Sequence, residues 1–174
     1  MFLESENHWI VIDTPDSQQS LNFITAQGFD YFWWYTNTPL ADSLSVSPLW
    51  VKVPSNKVEE ILTRFSSSAV FASQLNDEQF EDYIKTLVLM LSPTHKPYVV
   101  RFYNPKYLQY WFADLTTERQ ETLLGPIIRI GWKQNGAVHT IENHHPSLFE
   151  NSKTIAWFQL NEVEWDLLKI AYKK

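Results

Sequence analysis

Four side chains in the C-terminal part of the sequence invite a chemical reading: His139, Glu142, His144 and His145. Imidazoles and a carboxylate so close together are the donor types of a zinc site. The spacing works against one. No HExxH helix is present, and the stretch joins a predicted hairpin strand to a Pro-containing loop instead of presenting one ligand face. Solvated loop histidines are expected, with no metal and no cofactor. The paired carboxylates Glu59-Glu60 and Glu81-Asp82 fall on the polar faces of predicted helices, where charge normally meets water. No GxSxG, Walker loop or GxGxxG occurs, and the 4 glycines offer little to cradle a phosphate. Cysteine is absent, and no serine has a recognisable activating context. The expectation is a protein that binds others, with no catalytic residues.

Arg101 is more informative. In YVVRFYNP it is the one cation of an apolar run, three positions before an Asn-Pro that opens a helix. Burying a guanidinium unpaired is costly, so it should find a carboxylate, a carbonyl or a partner group. Reading Arg101 as an anchor of the strand and Asn104 as the cap of the helix that starts at Pro105 makes both architectural.

The aromatic residues suggest where a partner could sit. Phe32, Trp33, Trp34 and Tyr35 follow one another, so on a strand their side chains alternate between the two faces of a sheet. Either helices cover both faces, or one face is offered to a partner. Trp50 could extend such a surface, whereas Trp132 and Trp157 are better placed for the core.

These residues need elements to hold them. Apolar runs predict strands over residues 8–13, 29–35, 49–53, 68–73, 98–103, 127–133, 138–142 and 154–158. Helical spacing follows over 17–26 with Gly28 as its stop, after the Asn56/Glu59 pair, over 77–91 behind an Asn76/Gln79 capping box, from Pro105, and behind Asn161/Glu164. Gln134-Asn135-Gly136 is a hairpin signal that should pair its two flanking strands antiparallel. The order predicts a mixed α/β fold, a mixed β-sheet flanked by helices, in one compact domain spanning residues 1–174.

Composition narrows the function classes. At 174 residues, with 44% hydrophobic and 20% charged side chains, the chain sits in the globular range and should fold alone. Its formal charge is −6 and its basic residues are scattered, a poor match to nucleic acid. The longest aliphatic run, LVLML, is too short to span a membrane. Two glutamates stand where a signal peptide would carry positive charge, so a cytoplasmic location is expected. With 8 Trp, 8 Tyr and 11 Phe, the sequence is rich in the side chains that dominate cores and interfaces.

The segment Arg101, Phe102, Tyr103, Asn104 and Pro105 resembles the Arg-Phe-aromatic-Asp-Pro turn of the type VI secretion effector chaperones, also called adaptors. A later Gly-Pro before a strand and a tryptophan is matched by Gly125, Pro126 and Trp132. Upstream, Pro48-Leu49-Trp50 and the small-residue segment 68–73 fit the family's order. The similarity covers residues 9–132. It implies a cytoplasmic adaptor that binds one toxic effector, stabilises it and helps load it on the VgrG spike, with no established catalytic residues or cofactor. Asn104 replaces the usual Asp, which keeps the cap but removes one candidate charge partner for Arg101. The sequence is also expected to lack the extra C-terminal helical lobe of many longer members.

Overall fold

The apolar run near the N-terminus becomes the centre of the molecule. In the computed structural model, which describes residues 2–174, strand β1 (Asn7–Ile12) pairs antiparallel with β3 (Leu49–Lys52) on one side and β4 (Ser68–Ser73) on the other. Strand β2 (Tyr31–Trp33) adds to β3, and β7 (Ile127–Gln134) adds to β4 and carries β8 (Ala137–Glu142). The six-stranded order is β2-β3-β1-β4-β7-β8, and every pairing is antiparallel. The expected class therefore holds as a mixed α+β domain, while the sheet, expected to be mixed, is antiparallel throughout.

Helices cover the sheet on both faces, and β1 shows why its sequence does not alternate in polarity. Ile10 and Ile12 join a core with Ile24 of α1 (Ser17–Gln27) and with Val58, Ile61 and Leu62 of α2 (Val58–Arg64). Trp9 and Val11 face a larger core on the opposite side. That core is completed by α3 (Asp77–Lys85), β5 (Met90–Leu91), which pairs with the exposed β6 (Pro97–Tyr98), α4 (Pro105–Tyr110), α5 (Thr117–Leu124) and α6 (Glu162–Tyr172).

Local chemistry sets several boundaries where the sequence places them. Gly28 ends α1 at φ 75°, a left-handed conformation that suits glycine. Asn76/Gln79 and Asn161/Glu164 each form a complete capping box. Asn135 and Gly136 both have positive φ and turn β7 into β8.

Other boundaries are corrected by distant contacts. The helix expected over 77–91 stops at Lys85, because the Trp34 indole donates to the Ile84 carbonyl at 3.0 Å and the Ala156 amide donates to Thr86 at 3.0 Å. Leu87 and Val88 still reach the core, carried by a tighter turn. The strand expected over 98–103 shrinks to β6, and the segment 154–158 forms turns, with one parallel bridge from Gln159 to Leu91 beyond it. Asn56 lies in a short 3-10 turn, so α2 starts without a side-chain cap. The strand expected over 29–35 is three residues long, and Trp34 and Tyr35 already belong to the following turn.

Candidate functional site

The junction before α4 is the most heavily bonded part of the sequence motif. Arg101 reaches the Asp13 carboxylate at 2.6 Å, and the Tyr103 hydroxyl donates to the same oxygen at 2.8 Å. Asp13 stands just past the end of β1, so this one carboxylate ties the loop before α4 to the central strand. Tyr103 is buried, and burial together with the Asp13 charge pushes its hydroxyl well above the ordinary tyrosine range. Burial is the largest single influence on the Arg101 guanidinium and lowers its pKa, but Asp13, Tyr103 and Tyr35 together outweigh it and the pKa rises. Arg101 lies on an irregular segment and its side chain is 46% exposed, which corrects the expectation of a buried strand cation.

Asn104 caps α4 by accepting from the Lys106 amide at 3.0 Å, with Pro105 in the first turn. Phe102 is fully buried against Phe71 and Tyr103. Gly125 follows α5 at φ 55°, and a Cβ there would collide with the Tyr83 hydroxyl, which donates to Leu123 at 2.6 Å. Burial raises the Tyr83 pKa far above its usual value. The Gly125 carbonyl accepts from the buried Asn143 side chain at 2.9 Å, and Pro126 is buried beside it. Gly125 and Pro126 thus fit a close approach of chain segments.

The aromatic run is placed differently from the partner-facing surface envisaged for Phe32, Trp33, Trp34, Tyr35 and Trp50. Trp50, Trp34 and Tyr35 are 0%, 2% and 4% exposed, so they have no face to offer. Trp50 meets Trp34, Phe71 and Phe80 edge to face at 5.0–5.4 Å. Phe32 is half-buried on the same core and Trp33 half-buried on the opposite one. The side chains do alternate between faces, but helices cover both. Trp132 is buried, and Trp157 packs against the larger core.

The histidines and their neighbouring carboxylate engage separate partners. His139 stacks on Trp132 at 5.8 Å, Glu142 accepts from Arg129 at 2.6 Å, and His145 meets Glu121 at 2.8 Å. His144 is exposed. Arg129 also binds Glu6 at 2.8 Å beside the buried His8, whose pKa is lowered, first by burial. Among the described residues no three His, Asp or Glu side chains converge as a metal ion would require. Among the described residues no helix is long and apolar enough to cross a membrane.

Sequence reasoning missed Asp13, the shared acceptor. It reads only as the end of a strand, and the need of Arg101 for a carboxylate gives no hint of one 88 residues away. Residues 8–122, from β1 to α5, match the model of a family described as a domain of unknown function, DUF4123. No curated protein and no solved structure matches the chain.

Proposed function

The chain belongs to the DUF4123 family, and on that premise we propose that it is a type VI secretion adaptor. It holds one cognate effector in the cytoplasm and hands it to the VgrG spike. It acts by binding, without a catalytic step, a cofactor, nucleic acid or a membrane. The observation that carries this reading is the family match over residues 8–122. That match includes the Arg101–Pro105 junction, whose resemblance to effector chaperones is the more specific of the motifs. The bonding of the junction supports a scaffold role for the motif, since Arg101, Tyr103 and Asn104 all have partners within the chain.

The test is co-expression with the effector and spike proteins encoded beside it, followed by purification through a tag on this chain. The reading predicts a stable complex with the effector and loss of soluble effector when this chain is omitted. An effector that accumulates normally and never co-elutes would overturn it. Neutralisation of a toxin inside the recipient cell would instead assign the chain as an immunity protein.

A further inference from the structure

Strand β2 forms one edge of the main sheet. The Asp30 carbonyl accepts from Lys52 at 2.9 Å and the Trp34 amide donates to Pro48 at 3.1 Å. The alternation of an antiparallel ladder therefore turns the backbone N–H and C=O of Tyr31 away from β3, toward open solvent. Tyr31 itself is exposed.

Beside this edge, a groove of about 490 Å³ separates β2 from α3. Trp9 and Phe32 contribute to its apolar lining, and Asp30, Asp77, Glu78, Glu81 and Asp82 form its acidic one. Glu81 is matched by Lys85 at 3.0 Å, and Asp77 by Lys52 at 2.7 Å. Asp30, Glu78 and Asp82 have no ion-pair partner among the described residues. Trp9 is 3% exposed, yet its indole N–H has no acceptor among the described residues. Stacking on Phe80, with centroids 5.2 Å apart and planes 5° from parallel, holds the ring in place. Buried donors in folded proteins are nearly always paired, and the Trp50 indole and His8 Nε2, which do not line the groove, are without a hydrogen-bond partner as well among the described residues.

We propose that this groove docks an extended, Lys- or Arg-bearing segment of the protein partner. A cationic side chain of that segment sits among Asp30, Glu78 and Asp82, beside the Trp9 ring, and its backbone pairs with the Tyr31 edge. Charge complementarity selects a cation, and the absence of a converging ligand set among the described residues favours an organic one over a metal ion. The wall already shows the chemistry: the Lys85 ammonium lies 5.6 Å from the Phe32 ring centroid while it pairs with Glu81. That the segment belongs to a protein rests on the adaptor reading.

The probe is a blocked hexapeptide of alternating Val and Lys, titrated into the 15N-labelled chain, with a Val/Glu peptide as control. The Trp9 indole N–H resonance should move saturably with the Lys peptide, less so at high salt, and stay fixed with the Glu peptide. The triple variant D30N/E78Q/D82N should bind the Lys peptide at least about tenfold more weakly at an unchanged melting temperature. A Trp9 resonance that never moves, or a triple variant that binds as well as the parent, overturns the proposal. Co-expression separates the two readings. An effector captured equally by parent and triple variant removes the groove as its dock and leaves the adaptor standing. Specific peptide binding with no effector capture by the parent leaves the groove and removes the adaptor.

Discussion

Around Asp13 the polar groups are closed on one another: one carboxylate oxygen takes both Arg101 and Tyr103, and Asn104 caps the helix that follows. Around Trp9 they are not. Among the described residues, an indole N–H lies buried without an acceptor, three carboxylates lack ion pairs, and the Tyr31 backbone faces outward from a sheet edge. Both regions sit at β1, one past its C-terminal end and one along the strand. The difference teaches that the segment most conspicuous in sequence is spent on holding the chain together. The groups left over for a partner lie beside a short strand that the sequence does not single out.

That comparison can be broken at several points. The largest effect should come from Trp50→Ala, which empties the aromatic centre beneath the supposed binding surface and should cost about 3–5 kcal/mol in denaturant unfolding. A loss within about 0.5 kcal/mol, the usual scale for an exposed site, would return Trp50 to the surface. Asp13→Ala comes next. It strands the buried Tyr103 hydroxyl and frees Arg101, with an expected loss of about 1–3 kcal/mol. Tyr103→Phe in the same background should recover part of that loss, because the unpaired hydroxyl is gone; no recovery would mean that Asp13 acts through something other than this bond.

The smallest of these effects is at the cap. Asn104→Ala should cost about 0.5–2 kcal/mol, whereas Asn104→Asp should be nearly neutral because aspartate caps equally well. Thermal melts of the two variants check it, and a destabilised Asp variant would show that the Asn side chain does more at the junction than accept from Lys106.

How much of this could be read in advance follows from the range of the forces. Capping boxes at Asn76 and Asn161 and the Asn135-Gly136 turn are chemistry among neighbours, so the sequence carries them. The Arg-Phe-Tyr-Asn-Pro motif likewise announced a cap and an arginine in need of a carboxylate. It could not name Asp13. The end of α3 escaped for the same reason, since Trp34 and Ala156, distant in sequence, take the carbonyls of Ile84 and Thr86. The aromatic run was ambiguous on physical grounds, because a strand covered on both faces and a strand with one open face have the same composition. The groove was illegible in the sequence: Glu81-Asp82 looked like helix-surface charge, and nothing local places Trp9 and Asp30 beside them.

The most direct test of the division between scaffold and recognition sets two variants side by side, Asn104→Ala and D30N/E78Q/D82N. For each, the melting temperature and the Kd for the Val/Lys hexapeptide are measured at a temperature where both are folded. The cap variant should melt lower and bind with the parent's affinity, while the groove variant should melt with the parent and lose affinity by about tenfold or more. The opposite pattern, with binding lost at the cap and only stability changed at the groove, would contradict the account.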